Sequence, residues 1–480
     1  MSIIFLKALG TMSNLTKTRF APSPTGFIHI GNLRTALFSY LYAKKLKGVF
    51  LLRIEDTDVA RSEERYVEQL VADLKWLGLT VDEGPAPAAG DKGPYYQSQR
   101  LDTYQKYYDQ LIASGEAYPC YCTALELDLS RKQQLAAGRP PRYDGTCLRL
   151  SDQQKKEKAH LPCTLRFKMP AGSIAFEDLV QGAKKFEAAD LGDWIVRKQD
   201  GMPTFMFCNA IDDALMQVTH VLRGEDHMTN TPRQLVLLKQ LGLPVPFYGH
   251  VPMIFGFDGK PLSKRNGSQA ITELKDKGYH PLAILNLLAR LGHHYENPEF
   301  LTQQALADHF EIERIGRAPA HFLEEQLLYW QKNAIHHLAV PELLQLLHPY
   351  LDRVPAEKRA LFAQHIQANL TFPPEAADWA EVFFGNLVLS VEAKAVLHPV
   401  SKAYFEHAIA AFKADKTMAE VLAILKETLS LKGKGLFLPM RVALTGMMDG
   451  PEMDKIYALL GKEGVVARLT IAMHGGTHAN

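Results

Sequence analysis

Residues 18–55 read TRFAPSPTGFIHIGNLRTALFSYLYAKKLKGVFLLRIE, and this stretch decides the fold class. Its first four residues are a short strand candidate that ends in Pro22-Ser23-Pro24-Thr25-Gly26, a loop because prolines and glycine interrupt regular structure. Apolar residues then recur at helical spacing from Gly31 to Lys47. The next run, Val49 to Ile54, is apolar except for Arg53, as expected of a buried parallel strand. The stretch therefore predicts a strand, a helix and a second strand.

A second amphipathic helix follows, with its apolar side at Val67, Leu70, Leu74 and Leu77. Strands that alternate with helices favour an α/β fold with a parallel sheet. Residues 80–98 are rich in Gly, Pro and Ala and predict a long loop, whereas residues 104–190 mix helix and strand without that rhythm. We interpret the latter as an inserted domain. The alternation is predicted to resume at Trp194–Val196, Asp212–Val221 and His250–Phe255.

The rest of the chain, from about Pro281, is predicted to be helical. Leu282, Leu285, Leu288 and Leu291 begin a wide apolar stripe at helical spacing. Helical patterns continue to the C-terminus and are predicted to break at prolines 341, 355, 373, 374, 399 and 439.

The composition is that of an ordinary globular protein, with 480 residues, 47% of them apolar and 22% charged. No apolar run approaches the roughly 18–20 residues that span a bilayer, so no membrane association is expected. The opening MSIIFLKALGTM is too short and too interrupted for a signal peptide, which predicts a cytoplasmic protein. Because the first strong pattern begins near Lys17, Met1 and Met12 both stay open as the starting residue. The 54 Lys plus Arg balance 53 Asp plus Glu, so net charge gives no hint of a nucleic-acid partner and excludes none.

Two motifs have the means to bind phosphate. His29, Gly31 and Asn32 lie where a strand passes into a helix, and a helix N-terminus offers N–H donors and a positive dipole end. Gly31 would let the backbone approach a ligand, and His29 could donate to a developing negative charge. Alone, a histidine beside a glycine at a helix start more often has a structural role.

The second motif is Asp258-Gly259-Lys260-Pro261-Leu262-Ser263-Lys264-Arg265-Asn266-Gly267-Ser268. Its three cations between glycines suit a loop that holds a polyphosphate and moves over it. By itself the segment is equally compatible with a solvated loop.

Together the motifs resemble the two signatures of class I aminoacyl-tRNA synthetases. The segments TRFAPSPTGFIHIGNLRTAL, FLLRIEDTDVARSEE, LKWLGLTVDEGP, YYQSQRLDTY, THVLRGEDHMTNTPRQ and DGKPLSKRNG are similar to bacterial-type glutamyl-tRNA synthetases. LKGKGLFLPMRVALTG and YALLGKEGVVARL resemble the end of that family's helical anticodon-binding region. The resemblance runs from about Lys17 to about Leu469.

The resemblance implies a domain order. A Rossmann-type catalytic domain would occupy residues 15–103 and 193–260, with an inserted α+β domain that binds the tRNA acceptor end at 104–192. A helical domain at 261–330 would contact the tRNA stem and carry the catalytic loop, and an all-helical anticodon-binding region would fill 331–480. The family norm is a monomer.

The activity implied is ATP-dependent activation of L-glutamate to glutamyl-adenylate, followed by transfer to the 3′ end of tRNA. Catalysis then rests on positioning and on electrostatic stabilisation of the phosphate oxygens. The resemblance places that stabilisation at His29, Gly31 and Lys264. ATP, with Mg²⁺ held largely by phosphates and water, is expected to contact His29, Gly31, Asn32, Leu262, Ser263, Lys264 and Arg265.

The glutamate site implied by the resemblance needs fixed cations and at least one anion. Arg19 and Arg223 are assigned to the substrate carboxylates, for which a bidentate guanidinium is the suitable group. Glu55 suits the substrate ammonium, and Ser23 is a hydrogen-bonding neighbour. Without the resemblance, Arg19 and Glu55 are equally compatible with an internal ion pair.

Two positions in these motifs depart from the family. Pro261 stands where a lysine commonly opens the second signature, which is expected to alter loop mobility because proline fixes φ. Phe205 replaces a tyrosine that touches the substrate, at a cost of one hydrogen bond, about 0.5–1.5 kcal/mol. Asn209 is the nearby residue expected to compensate.

Cys120, Cys122 and Cys147 match a zinc site found in part of the family. Zinc prefers four ligands in a tetrahedron, and Arg149 occupies the position where a histidine is often the fourth. Tyr143, as in a related tRNA-modifying paralogue, is the expected substitute. His160 and Cys163 are more distant candidates, and three reduced thiols without metal are the alternative.

The tRNA that is charged stays open. Residues 330–480 hold 15 Lys plus Arg and 15 Asp plus Glu, so this region is not generally basic. Its segment AQHIQANLTFPPEAADWAEVFF lacks the basic residues by which some relatives choose their tRNA. We expect tRNA-Glu, with tRNA-Gln, alone or as well, as the alternative.

Four other functions compete. A glutaminyl-tRNA synthetase usually ends in β-barrels, which the helical C-terminus disfavours, and the short tRNA-modifying paralogue lacks an anticodon domain. A small adenylate-forming nucleotidyltransferase shares only the first motif, and Arg19, Glu55 and Arg223 disfavour it. A non-catalytic tRNA-binding protein has no need of His29 and Lys264.

Overall fold

The computed structural model describes residues 3–5, 15–58, 60–86, 88, 90–262 and 269–474. They form two compact units, Met1–Lys277 with Ile284–Gln326 and Gly278–Ala283 with Leu327–Asn480. The chain passes between the units three times, once after Lys277 and twice within helices, after Ala283 and after Gln326. Ser263, Lys264 and Arg265, predicted to contact ATP, lie outside the described residues.

The first unit mixes strands and helices. Its strands are β1 (Ile3–Phe5), β2 (Lys17–Phe20), β3 (Val49–Leu52), β4 (Ala117–Cys120), β5 (Thr164–Phe167), β6 (Ser173–Asp178), β7 (Gly182–Glu187), β8 (Trp194–Arg197), β9 (His220–Gly224), β10 (Phe247–Val251), β11 (Ile254–Phe255) and β12 (Ala320–His321). Its helices are α1 (Ile30–Lys45), α2 (Glu64–Trp76), α3 (Leu101–Ala113), α4 (Ala124–Ala136), α5 (Asp152–Lys158), α6 (Ala188–Leu191), α7 (Phe205–Leu215), α8 (Thr231–Gln240), α9 (Ile271–Asp276), α10 (Pro281–Arg290) and α11 (Gln303–Asp308).

Parallel strands carry the predicted site. β2 pairs with β3 in parallel, with Lys17 opposite Val49, and β9 pairs with β10 in parallel. The Thr219 N–H donates to the Lys17 carbonyl at 2.8 Å, which brings β9 beside β2. The carboxyl ends of all four strands therefore meet at one edge, where open α/β sheets bind ligands. The predicted α/β fold class is confirmed.

Two predicted strands differ in the structure. Asp212 is not in a strand, because α7 extends to Leu215 and β9 begins only at His220. The sequence pattern of a helix that is buried on several faces resembles that of a buried strand, because both are continuous apolar runs. Trp194–Val196 does lie in β8, but β8 pairs antiparallel with β5 and so does not belong to the parallel sheet.

The region predicted as an insertion contributes β4, β5, β6 and β7, which together with β8 form three antiparallel pairings. β4, β5 and β8 form one sheet, and β6 and β7 form a hairpin that β1 joins in parallel. The hairpin turn touches the parallel strands, since the Leu179 N–H donates to the Tyr248 carbonyl at 2.8 Å. The domain boundaries proposed from the sequence stay predictions.

The described part of the second unit contains helices and no strand. Its helices are α12 (Glu324–His336), α13 (Val340–Leu347), α14 (Arg359–Ile366), α15 (Glu375–Phe384), α16 (Val391–Leu397), α17 (Lys402–Lys413), α18 (Met418–Thr428), α19 (Lys434–Thr445) and α20 (Met453–Met473). Phe362, Phe412, Leu425 and Leu469 are among the fully buried residues of its core.

Prolines 355, 373, 374 and 399 lie between α-helices as predicted, and Pro341 lies in the first turn of α13, where proline is tolerated. Pro439 lies inside α19, so the break predicted there is wrong. Proline removes one intrahelical hydrogen bond, but Pro439 is buried, and packing outweighs that loss. Among the described residues, no helix combines the length and the apolar character that crossing a membrane requires.

Candidate active site

The first motif forms the N-terminal cap of helix α1. His29 is the N-cap, and its Nδ1 accepts a hydrogen bond from the Gly31 N–H at 3.1 Å. The Asn32 side chain accepts in return from the His29 N–H at 2.8 Å. Because Nδ1 is an acceptor here, a neutral His29 carries its ring proton on Nε2. The helix start thus orients the imidazole as well as offering a dipole.

The structure shows a role for Gly31 in addition to the predicted one. A Cβ at this position would lie 3.0 Å from Cε1 and 3.1 Å from Nδ1 of the His29 ring. The missing side chain therefore makes room for the folded-back imidazole. Close approach of a ligand to the Gly31 backbone stays a prediction.

Two arginines share one buried carboxylate. Asp213 Oδ1 accepts from Arg53 Nη1 at 2.7 Å and from Arg19 Nε at 3.2 Å. Arg53 also donates through Nη2 to Glu55 Oε1 at 3.1 Å. Burial alone would raise the pKa of Asp213, but Arg19 and Arg53 lower it. Two cations and two anions are thus buried together. Arg19 and Glu55 each form an internal ion pair, Arg19 with Asp213 and Glu55 with Arg53.

Glu55 also contacts Asn209, a residue predicted to lie in the glutamate site. Its Oε1 accepts from the Asn209 amide nitrogen at 2.6 Å. Burial raises the pKa of this carboxyl, and Arg53 and Arg19 oppose that rise. Asn209 in turn accepts from Gln234 at 3.4 Å. The Asn209 amide is therefore already engaged on both sides, and its compensation for the hydroxyl absent at Phe205 stays a prediction.

Arg223 is held by neutral groups. Its Nε donates to His250 Nε2 at 3.2 Å, and its Nη2 donates to Thr231 Oγ1 at 2.7 Å and to Gln234 Oε1 at 2.8 Å. Arg223 is only 4% exposed, and its Nη1 is buried without a hydrogen-bond partner in the described structure. Burial lowers the pKa of Arg223 to about 10, so the guanidinium stays charged near neutral pH. A buried guanidinium N–H without an acceptor is the feature expected where an anionic ligand binds.

One cavity of about 560 Å³ lies among the predicted site residues. Its walls include three residues of the first motif, one of the second and six of the residues predicted to contact glutamate: His29, Gly31 and Asn32; Leu262; and Arg19, Ser23, Glu55, Phe205, Asn209 and Arg223. The Phe205 ring stacks on His227, with ring centroids 5.2 Å apart. The described parts of the two motifs, far apart in the chain, therefore lie on a single site.

The described part of the second motif is a tight hairpin. The Gly256 N–H donates to the Lys260 carbonyl at 2.9 Å, and the Leu262 N–H donates to the Ile254 carbonyl at 2.8 Å. Pro261 lies between these bonds opposite Phe255, and the bonds on either side do not require an N–H from residue 261. Proline at residue 261, in place of the lysine common in the family, is thus compatible with the hydrogen bonds of the hairpin. Its effect on loop mobility stays a prediction.

Several residues of the site were missed in the sequence. Arg53 and Asp213 carry the buried charge network, and Gln234 and His250 hold Arg223. Arg34, also in the cavity wall, donates to the carbonyls of Leu291 and Pro252. A charge inside an otherwise apolar run is the only sequence signal for Arg53, and the others had none.

The three grouped cysteines come together as predicted. Cys120, Cys122 and Cys147 have their sulfur atoms within 4.8 Å of one another. Burial opposes ionisation of Cys120, but hydrogen bonding with Tyr143 and Arg166 lowers its pKa to about 7. Burial raises the pKa of Cys122 to about 12.

Tyr143 is the candidate fourth ligand that the fold brings to the thiols. Its hydroxyl lies 3.4 Å from the Cys120 sulfur and 3.5 Å from the Cys122 sulfur. Arg149 instead donates to the Asp144 carbonyl at 2.6 Å. Among the described residues, neither His160 nor Cys163 belongs to the cluster. Three thiols and one phenol are a donor set that fits a tetrahedral metal such as zinc.

Comparison with known families covers most of the chain. Residues 16–329 match the family described as tRNA synthetases class I (E and Q), catalytic domain. Residues 342–473 match the family described as anticodon binding domain. The first match spans the whole cavity and the thiol cluster.

Individual relatives align over nearly their full length. A protein named glutamate–tRNA ligase 2 from Nitrosococcus oceani is 50% identical over 459 residues, 94% of this chain and 97% of the relative. A protein named glutamate–tRNA ligase 1 from Methylococcus capsulatus is 49% identical over the same shares of both chains. A crystal structure of a glutamate tRNA ligase from Elizabethkingia meningosepticum, in complex with its amino acid, is 29% identical with a TM-score of 0.83. That similarity covers 96% of this chain and 99% of the other.

Proposed function

The chain belongs to the class I tRNA synthetases for glutamate and glutamine, and we propose that it is a glutamate–tRNA ligase. It activates L-glutamate with ATP and transfers the glutamyl group to the 3′ end of tRNA-Glu. Relatives that cover nearly the whole chain carry this name, so the glutaminyl alternative and tRNA-Gln are not favoured.

One observation carries the choice of amino acid. Arg223 lines the cavity, makes no ion pair with a carboxylate among the described residues, and keeps Nη1 without a hydrogen-bond partner. Arg19 and Arg53, by contrast, are balanced by Asp213 and Glu55. Counting these five groups leaves one positive charge. Glutamate, with two carboxylates and one ammonium, supplies the missing negative charge, whereas glutamine does not.

We assign the substrate contacts from this arrangement. Arg19 and Arg223 bind the two carboxylates, and Glu55 binds the ammonium through its second oxygen, since the first is shared by Arg53 and Asn209. Ser23 lies exposed at the cavity wall and donates a hydrogen bond to the substrate. Phe205 gives an apolar wall stacked on His227.

ATP occupies the side of the cavity formed by the two motifs. The Nε2 edge of His29 donates to the phosphate oxygens while the carboxylate oxygen of glutamate attacks the α-phosphorus and pyrophosphate leaves. Mg²⁺ accompanies ATP and neutralises its phosphates. Lys264, with Ser263 and Arg265, completes the phosphate contacts in this proposal. The adenylate then passes its acyl group to the terminal ribose of the tRNA.

We also propose a structural zinc ion at Cys120, Cys122, Cys147 and Tyr143. Bound zinc would tie β4 to the segment of Tyr143 and Cys147, which the sequence places far from the strand. The ion would have a supporting role in this part of the first unit and none in the reaction.

ATP–pyrophosphate exchange tests the proposed function. We expect exchange that depends on glutamate and requires tRNA-Glu, and no exchange with glutamine. Arg223→Gln should raise the KM for glutamate by at least tenfold, about 1.4 kcal/mol, since the anion loses its charged partner. Arg223→Lys keeps the positive charge but not the two parallel N–H donors of the guanidinium. Its KM for glutamate should therefore lie between those of the parent and of Arg223→Gln. Exchange with glutamine alone would refute the proposal.

A further inference from the structure

His250 lies directly behind the guanidinium that the proposed function assigns to a substrate carboxylate. It is fully buried in β10, and its Nε2 is 3.2 Å from Arg223 Nε. On the other side of the ring, Nδ1 is 2.5 Å from Asp178 Oδ2. Asp178 belongs to β6, and Arg223 to β9. Three distant segments thus form one chain of side chains that ends at the cavity.

The tautomer of His250 follows from its partners. An arginine Nε–H can only donate, so Nε2 of His250 must be the acceptor. The ring proton is then on Nδ1, where the Asp178 carboxylate accepts it. The Thr231 hydroxyl, 2.9 Å from Nε2, accepts from Arg223 and can donate its own hydrogen to the same nitrogen. Burial lowers the pKa of His250, which keeps the ring neutral near neutral pH.

Asp178 is itself fixed by the backbone. Its Oδ1 accepts from the N–H groups of Val180 at 3.0 Å, Gln181 at 2.8 Å and His250 at 3.2 Å. Only Oδ2 faces the imidazole. The carboxylate therefore cannot turn without breaking the hairpin turn, and it imposes one tautomer on His250.

The neutral partners of Arg223 also leave its positive charge available to a ligand. Arg223 contacts a neutral imidazole, a hydroxyl and an amide, and among the described residues it forms no ion pair with a carboxylate. A carboxylate in place of His250 would form an ion pair and cancel the charge that the substrate needs. The imidazole fixes the orientation of the guanidinium and leaves its charge for a ligand.

We propose that His250, held in one tautomer by Asp178, is a positioning residue that orients Arg223 for a substrate carboxylate and so sets the affinity for glutamate. This inference rests on the proposed function, because it requires that Arg223 binds glutamate. Neither His250 nor Asp178 touches the substrate.

Substitutions at both positions test the tautomer. His250→Leu removes the acceptor and should raise the KM for glutamate about tenfold, with kcat and the KM for ATP changed less than about twofold. His250→Gln can accept from Arg223 and donate to Asp178, so it should recover most of the affinity. Asp178→Asn presents an amide N–H to Nδ1, which drives the ring proton to Nε2, opposite the Arg223 donor. Its glutamate KM should rise as much as that of His250→Leu.

Controls separate positioning from folding. His293→Gln changes another buried histidine, one that contacts the Glu311 carbonyl and not Arg223, and it should leave the glutamate KM unchanged. In an Arg223→Lys background, His250→Leu should add less than about twofold, because the residue through which it acts is already altered. An undiminished effect in that background overturns the inference.

The unsubstituted protein gives a test that does not depend on folding of variants. Nitrogen-15 NMR of the histidine-labelled chain should show His250 protonated at Nδ1 and unprotonated at Nε2. A proton at Nε2, or glutamate KM values of His250→Leu and Asp178→Asn within about twofold of the parent, refutes the role of His250. An unchanged KM in Arg223→Lys and Arg223→Gln instead refutes the assignment of Arg223 itself.

Discussion

The backbone nitrogen of Gly31 donates a 3.1 Å hydrogen bond to Nδ1 of His29, and the ring occupies the space that a Cβ at residue 31 would need. His29 and Gly31 therefore depend on each other for the orientation of the imidazole. The glycine allows the imidazole to fold back over the helix start, and the folded imidazole presents its Nε2 edge.

Gly31→Ala should lower the rate of glutamate activation about three- to tenfold, with little change in folding stability. The new Cβ would approach the ring to 3.0 Å, so His29 must move by a few tenths of an ångström. Single-turnover measurement of adenylate formation checks this. Gly26→Ala is a matched control, since a Cβ there has nothing within 4 Å. Equal rates for Gly31→Ala and the parent would contradict the link between the two residues.

Lys264→Ala should cut the activation rate at least tenfold, about 1.4 kcal/mol of transition-state stabilisation. The reason is loss of a cation from the proposed pyrophosphate contacts. Lys260→Ala removes an exposed cation from the neighbouring hairpin turn and should change the rate less than about twofold. ATP–pyrophosphate exchange measures both. If Lys264→Ala matches Lys260→Ala, the catalytic loop has been misplaced.

Asp213→Asn should reduce the free energy of unfolding by about 3 kcal/mol or more, because Arg19 and Arg53 would keep only Glu55 as a counter-charge. Urea denaturation followed by circular dichroism measures the change. Asp128→Asn, which removes one partner of the exposed Asp128–Lys132 pair, should cost less than about 1 kcal/mol. Similar losses in the two variants would mean that the buried network contributes little.

Acid should destabilise the first unit partly through His293. Burial lowers the pKa of this ring to about 4, below the value of about 6.5 expected in the unfolded chain. Between these values the unfolded chain binds more protons, so the contribution is complete above pH 6.5 and is lost as pH falls, by up to about 3 kcal/mol. Unfolding in urea at several pH values should show a shallower pH dependence for His293→Gln. The same slope in both proteins would assign the acid sensitivity elsewhere.

The purified protein should contain about one equivalent of zinc, which Cys147→Ser should remove, because a structural zinc site uses four ligands at once. Tyr143→Phe should weaken zinc retention against a chelator, since it deletes only the phenol oxygen. Cys163→Ser, outside the cluster, should retain the metal. Elemental analysis measures all four proteins. Less than about a tenth of an equivalent in the parent would rule out a structural site.

The sequence alone determined the fold class and the first motif. The strand, helix and strand of residues 18–55 were predictable because each element buries its apolar residues with a local period. The pairing of His29 and Gly31 with the second motif was predictable from the resemblance. Where several faces are buried, as in α7, the period disappears and the prediction of a strand from Asp212 failed.

Only the tertiary structure decided how the charges of the site are shared. Asp213 meets Arg19 and Arg53 across 194 and 160 positions of sequence, and no periodic pattern relates them. The same holds for Tyr143 beside the thiols and for Asp178, His250 and Arg223, which meet because three separate strands end side by side. The sequence determines which groups are present, and packing determines which of them are neutralised and which stay available to a ligand, because the energy of a buried charge depends on its neighbours in space.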